Sequence, residues 1–223
     1  MGKYKLSEIV DTYQAEGAMS GWPVRLLRFA GCNLACPFCD EHLARPRYIL
    51  DADEFAERLP RKYPAVMLTG GEPLLHMDIE LAKVLAAWRN ETFGMFMLET
   101  NGAVRGVLGH FKGIAHVVCS PKHDSDVVLG CGDIDELKYV VPGCWPGNDA
   151  VVDSILSILP NADAKSAVLK RVMTKTICIQ PEWRDDGIKS SLPMALRCSQ
   201  HIQMALGFMP RLSIQWHKFV NMP

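Results

Sequence analysis

Residues 24–40 read VRLLRFAGCNLACPFCD. A largely apolar run, Val24 to Ala30, ends at Gly31, and Cys32, Cys36 and Cys39 follow at once in the spacing C-x3-C-x2-C. The run predicts a strand, which puts the cysteines in the loop at its C-terminal end. Thiolates are the soft ligands that iron–sulfur clusters require. Three ligands leave one iron of a four-iron cluster open to an outside chelator, whereas a structural zinc site takes four ligands and closes. The fourth ligand of a zinc site would have to be His42 or a distant cysteine. That alternative, and plain packing of the thiols, stay open on the residues alone. The other five cysteines, Cys119, Cys131, Cys144, Cys178 and Cys198, share no ligand spacing and are assigned no function.

Outward from this loop, short apolar runs recur at 65–70 (AVMLTG), 95–100 (MFMLET), 115–120 (AHVVCS), 136–141 (ELKYVV), 176–180 (TICIQ) and 211–216 (RLSIQW). Several lack strict alternation, as strands buried on both faces of a parallel sheet do. Helical stretches separate many of them. DADEFAERL begins at Asp51 with acidic residues in its first turn. Leu81, Val84, Leu85 and Trp88 keep helical spacing after Asp78, and Ser191 opens a helix that ends near Gly207. Strands alternating with helices imply an α/β fold of right-handed crossovers, expected here as a partial parallel β/α barrel, with a doubly wound sheet as the competitor. Polar residues gather where the strands end: Thr69 to Glu72, Glu99 to Asn101, Ser120 to Lys122, Gln180, and Gln215 with His217. Active sites of parallel α/β proteins lie at that edge.

The 223 residues suit a single domain with a sizeable core, here residues 1–223. With 48% hydrophobic and 22% charged residues the chain is normally globular, and its net charge of −1 supplies no field for nucleic acid. No apolar stretch reaches the length of about 18 residues that a membrane span needs. The N-terminal segment lacks the apolar core of a signal peptide, so the expected location is cytoplasmic.

C-x3-C-x2-C after a strand, followed downstream by Gly70-Gly71-Glu72-Pro73, resembles the radical S-adenosylmethionine superfamily. Five further segments sharpen the likeness to the 7-carboxy-7-deazaguanine synthase family. They are Gln14-Ala15-Glu16-Gly17, Arg28 to Leu34, Glu99-Thr100-Asn101-Gly102, Ser120-Pro121-Lys122 and Arg211 to Lys218. The resemblance runs from about residue 7 to the end. It implies a reductive cleavage of S-adenosylmethionine at a [4Fe–4S] cluster on Cys32, Cys36 and Cys39. It further implies contraction of 6-carboxy-5,6,7,8-tetrahydropterin to 7-carboxy-7-deazaguanine with loss of ammonia, assisted by Mg²⁺. Residue by residue, it places Phe38, Cys39, Asp40, Gly71, Glu72, Ser120, Pro121 and Lys122 on the cofactor. Tyr13, Gln14, Ala15, Arg28, Thr69, Gln180 and His217 line the substrate pocket, and the terminal carboxylate of Pro223 closes over it. Two positions depart from the family pattern: Ala15 stands for a glycine, and Glu41 for the threonine that ligates Mg²⁺. Glu41 is also a hard oxygen donor and is the expected metal ligand. An electron donor such as flavodoxin or ferredoxin, and a homodimer, are the implied partners. Two other classes are weighed against this reading. An activase for a glycyl-radical protein would need a large protein partner and no pterin pocket, and a non-catalytic iron–sulfur or zinc module would have no use for the Gly70–Pro73 segment.

Overall fold

The computed structural model describes residues 2–39, 45–61, 65–106, 108–111, 115–159 and 176–220. Among these, one mixed sheet of nine strands organises the chain. The strands are β1 (Tyr4–Tyr13), β2 (Pro23–Phe29), β3 (Tyr48–Leu50), β4 (Ala65–Gly70), β5 (Met95–Thr100), β6 (Ala115–Cys119), β7 (Glu136–Val141), β8 (Thr176–Pro181) and β9 (Arg211–Leu212). Their order in the sheet is β3-β1-β2-β4-β5-β6-β7-β8-β9. From β2 onward every neighbouring pair is parallel, while β1 runs antiparallel to both β2 and β3.

This order separates the two architectures left open above. A doubly wound sheet reverses its strand order at a switch point. Here β2 and β4 to β9 follow in strict succession, which winds the sheet one way, as in a barrel. Curvature is visible in the contacts: the short loop after β1 touches β5, β7 and the segment after β9. Among the described residues no pairing joins β9 back to β3, so the barrel is partial.

Among the described residues the helices are α1 (Ala52–Arg58), α2 (Ile79–Thr92), α3 (Asn148–Ile158), α4 (Leu192–Leu206) and α5 (Trp216–Val220). The first four cover one face of the sheet, while α5 lies beside the loop after β1, where Trp216 N donates to Ala15 O at 3.3 Å. Asp51 opens α1 with a full capping box: its Oδ1 accepts from Glu54 N at 3.0 Å, and Glu54 Oε2 accepts from Asp51 N at 2.8 Å. Asp78 caps α2 through Leu81 N at 2.8 Å. Ser191 stands at the start of α4 as expected, but its hydroxyl donates to Glu182 O rather than capping. Gly207 closes that helix with φ +82°. Leu81, Leu85 and Trp88 of α2, Ile155 of α3, and Ala195 and Ile202 of α4 pack on Leu27, Phe29, Leu68, Leu98, Leu137, Tyr139 and Ile179 of the sheet.

Because side chains alternate along a strand, the opposite set faces the concave side. Val24, Leu26, Ala65, Met67 and Met97 form a small apolar floor there. Two residues further along the same strands, on the same face, stand Arg28, Thr69 and Glu99. On β2, β4 and β5 the concave wall therefore changes from apolar to polar as it nears the C-terminal edge, and this gradient positions the site.

Two expectations change. RLSIQW is not one strand: pairing with β8 stops after Leu212, and the chain turns through Ser213–Gln215 into α5. The cause lies in its partners, since Ser213, Gln215 and Trp216 bond to the loop after β1 instead of continuing the ladder. Tyr4–Tyr13, where no strand was expected, also forms one and pairs with β2, so the cysteine loop follows the second strand of the chain.

Candidate active site

Cys32 is exposed, and Cys36 and Cys39 are half-buried. Leu34 N donates to Cys32 Sγ at 3.4 Å, and Asn101 Nδ2 approaches the same sulfur at 3.8 Å while donating to Asn33 Oδ1 at 2.9 Å. Burial pushes the Cys36 thiol up in pKa, the buried Lys122 ammonium opposes this, and Cys144, Cys39 and Cys32 add to the rise. The donor set fits a [4Fe–4S] cluster: three soft ligands on one loop, N–H groups on a sulfur, and a cation beside them.

The loop owes its place to the glycines behind it. Gly70 has φ +119°, Gly71 N donates to Phe29 O at 3.0 Å, and Glu72 N donates to Gly31 O at 2.9 Å. A Cβ on Gly71 would lie 1.9 Å from Gly31 O and 3.1 Å from Cys32 N. The sequence suggests that these glycines admit a ligand; the structure uses them to seat backbone on backbone beneath the first cysteine. Gly71→Ala will therefore push the Gly31-Cys32 peptide aside. The expected outcome is a folded protein with iron content well below that of the wild type after reconstitution, and full incorporation would contradict the reading.

Glu72 is wholly buried. Its Oε1 accepts from Leu74 N at 3.0 Å and from Thr100 Oγ1 at 2.8 Å, and its Oε2 accepts from Asn101 N at 2.8 Å. Desolvation pushes its pKa up, while these donors pull the other way. Glu72, expected among the cofactor contacts, fixes Asn101, which in turn reaches Cys32. Asn101 is a site residue that sequence reasoning quoted without giving it a role. On the other flank, Lys122 Nζ donates to Ser120 O at 2.6 Å and Ser120 Oγ at 2.9 Å, and lies 6.0 Å from the centre of the Phe38 ring. Phe38, Ser120 and Lys122 are thus brought together as expected, with Pro121 buried between. Asp40, Glu41 and Pro223 lie outside the described residues.

A second polar group covers the concave wall. Lys138, nearly buried in the middle of β7, donates to Glu16 Oε2 at 2.5 Å and to Glu99 Oε1 at 3.1 Å. Gln14 Nε2 donates to Glu99 Oε1 at 3.1 Å, Thr69 Oγ1 to Glu99 Oε2 at 3.3 Å, and Gln215 Nε2 to Glu16 Oε1 at 2.8 Å. Below them Glu136 Oε2 accepts from Ala18 N at 2.9 Å and meets His116 Nε2 at 3.5 Å. Ser213 ties the loop to the far strands, receiving Gly17 N at 2.9 Å and donating to Gln180 Oε1 at 2.8 Å. Of the expected pocket residues, Gln14, Ala15, Thr69 and Gln180 are all buried in this cluster, and His217 on α5 acts electrostatically on Glu16. Ala15 has no positive φ, so alanine replaces the family's glycine without strain. Arg28 pairs in register with Thr69 and donates to Glu8 Oε2 at 2.9 Å, whereas Tyr13 is 54% exposed at the end of β1. Lys138, Glu99 and Glu136 carry the electrostatics of this wall and had no assigned role. Their signal was a charged residue inside an apolar strand, tolerable only when paired.

The cluster predicts an acid limit. Burial alone would raise the Glu16 carboxyl, but Lys138 and the Gln215 hydrogen bond bring it from 4.5 down to about 2. Burial also opposes ionisation of Glu136, yet His116, Ala18 N and Lys138 hold it below the usual range. A depressed folded pKa stabilises the fold above the unfolded value and is lost as pH falls through the folded one. The thermal midpoint will therefore drop between about pH 4.5 and about pH 2, and Glu16→Gln will lower the neutral-pH midpoint while flattening that drop. A parallel pair of curves would contradict the pairing.

A family model described as the radical SAM superfamily matches residues 26–128, from β2 through the Ser120–Lys122 turn. Fold and site together define a radical S-adenosylmethionine enzyme, a class that works with a [4Fe–4S] cluster and S-adenosylmethionine. Within it, the chain belongs to the 7-carboxy-7-deazaguanine synthase family. It is 31% identical over 245 residues to the 7-carboxy-7-deazaguanine synthase of Burkholderia multivorans, covering 99% of both chains. Its identity to the enzyme of that name from Bacteroides thetaiotaomicron is 40% over 141 residues, 62% of this chain and 71% of the relative. A crystal structure of QueE from Escherichia coli aligns with a TM-score of 0.63 at 21% identity, covering 96% of this chain and 94% of that one, which speaks for the fold alone.

Proposed function

We propose that the chain converts 6-carboxy-5,6,7,8-tetrahydropterin to 7-carboxy-7-deazaguanine with loss of ammonia, a step of queuosine and deazapurine biosynthesis. The observation that carries this is a Lys138-bound pair of carboxylates on the concave wall of the sheet whose C-terminal edge bears the cysteine loop. When bound, the cluster with S-adenosylmethionine supplies hydrogen-atom abstraction. The chain's own residues bind and orient. Cys32, Cys36 and Cys39 hold the cluster. Phe38, Ser120, Pro121 and Lys122, with Asp40, frame the cofactor, and Gly71 and Glu72 keep the loop seated. Glu16 and Glu99 accept from the N–H groups of the pterin edge, since ionised carboxylates are acceptors only. Gln14, Ala15, Thr69, Gln180, His217 and Tyr13 shape the rest of the pocket, and Arg28 faces the substrate carboxylate.

Residues 1–223 form one radical S-adenosylmethionine domain whose C-terminal segment closes the pocket. The bonds of Ser213, Gln215 and Trp216 to the 15–17 loop support that closure. Mg²⁺ binds at Glu41 and the substrate. Flavodoxin or ferredoxin reduces the enzyme, which works as a cytoplasmic homodimer; no helix among the described residues is long and apolar enough to cross a membrane. Anaerobic incubation of the reconstituted protein with dithionite, S-adenosylmethionine and the carboxytetrahydropterin, followed by mass spectrometry, tests the reaction. The ring-contracted product and ammonia should appear together. Unchanged pterin in the presence of cleaved S-adenosylmethionine would refute the assignment.

A further inference from the structure

We propose that Lys138 is the positioning residue of the substrate wall: from β7 it holds the carboxylates of Glu16 and Glu99 side by side at the cavity surface, so that both meet the substrate as acceptors. The inference rests on the substrate class proposed above. Its warrant is geometric. Glu16 comes from the loop after β1 and Glu99 from β5, segments 83 positions apart in the chain by their numbers, and among the described residues Lys138 is the cation bonded to both. Exposure orders the three groups, with 5% for the Lys138 side chain, 13% for Glu16 and 21% for Glu99. The cation lies underneath and the anions reach the surface. Gln14, Thr69 and Gln215 fix the remaining carboxylate oxygens.

Two carboxylates set this close without a cation would share a proton, and one of them would become a donor. A substrate edge of N–H groups would then meet a mismatched partner. Lys138 between them gives each carboxylate a cation within hydrogen-bond distance. The other charges facing this group are Glu136 on the same strand, His116 on β6, His217 on α5 and, more distantly, Lys122. Glu136 adds a further negative charge beside Lys138, which makes its loss more consequential.

The test compares wild type, Lys138→Gln and Lys138→Arg, each reconstituted, with circular dichroism and the cluster absorbance reporting the fold. The parameters are kcat and KM for the carboxytetrahydropterin between about pH 6 and about pH 8.5. Wild-type KM should stay flat. Lys138→Gln should raise KM by about tenfold or more at neutral pH, and further as pH falls, with kcat changed by less than about threefold. Lys138→Arg, which keeps the charge but displaces the carboxylates, should restore the flat profile at a KM raised a few-fold. A merely structural lysine would lower stability and leave the KM profile of Lys138→Gln flat; that result overturns the proposal. Should Lys138→Gln fail to fold, Lys138→Arg decides, since a raised, flat KM supports the role and a wild-type KM overturns it. Wild-type protein that cleaves S-adenosylmethionine but leaves the pterin untouched overturns the substrate reading instead, so the two failures are distinguishable.

Discussion

Replacing Cys32, Cys36 or Cys39 singly by alanine will abolish both the cluster absorbance and turnover, while Cys144→Ala will keep them. The contrast is sharp because Cys144 lies within electrostatic range of Cys36 yet takes its own hydrogen bond, from His123 N at 3.1 Å, on the loop after β7. Proximity without the loop spacing does not make a ligand. Each of the three replacements removes one of only three protein ligands, and an iron–sulfur cluster held by two is not expected to persist through reconstitution. Iron and sulfide counting on the four purified variants checks this. A full [4Fe–4S] spectrum in any of the three would break the assignment, and its loss in Cys144→Ala would add a ligand.

Glu72→Ala should be the most damaging change outside the cysteines. It strands Leu74 N, Asn101 N and the Thr100 hydroxyl in a site sealed from water. At roughly 1–3 kcal/mol for each unsatisfied buried group, the loss is about 3 kcal/mol or more, which approaches the whole stability of a marginal domain. Glu72→Gln should be milder, because one amide oxygen still accepts while the amide nitrogen faces a donor. Chemical denaturation gives the stabilities, and iron content reports whether Asn101 still supports Cys32. A Glu72→Ala protein as stable as the wild type would show that the carboxylate does not hold the end of β5.

The central strands were legible because a strand covered on both faces reads as an unbroken apolar run, as VRLLRF, AVMLTG and ELKYVV do. Asp51 and Asp78 announced α1 and α2 for the same local reason that they cap them. Tyr4–Tyr13 gave no such signal. Lys5, Glu8 and Asp11 scatter charge along an antiparallel strand, and a bulge between Leu6 and Glu8 breaks its alternation. The helix Asn148–Ile158 begins at Gly147 with no side-chain cap to mark it. The end of the chain misled for a different reason. Arg211–Trp216 carries a strand-like composition, but its hydrogen bonds go to a loop some two hundred positions away, and no local pattern records that.

The candidate site divides in the same way. The cysteine spacing and the Ser120–Lys122 turn are local, and were readable. Lys138 sits unremarked inside an apolar run, and its meaning depends on Glu16 and Glu99 arriving from elsewhere. Glu72 was readable as important, but its bonds to Leu74 N, Thr100 and Asn101 N were not, since they depend on the end of β5 folding over it.

The claim on which the rest depends is that the loop of Cys32, Cys36 and Cys39 carries one [4Fe–4S] cluster with an iron open to S-adenosylmethionine. Electron paramagnetic resonance of the anaerobically reconstituted, dithionite-reduced protein, recorded before and after adding S-adenosylmethionine, tests it most directly. The account predicts a [4Fe–4S]⁺ signal that shifts when S-adenosylmethionine binds, and is absent from Cys36→Ala. A reduced protein without that signal, or one whose signal ignores S-adenosylmethionine, would contradict it.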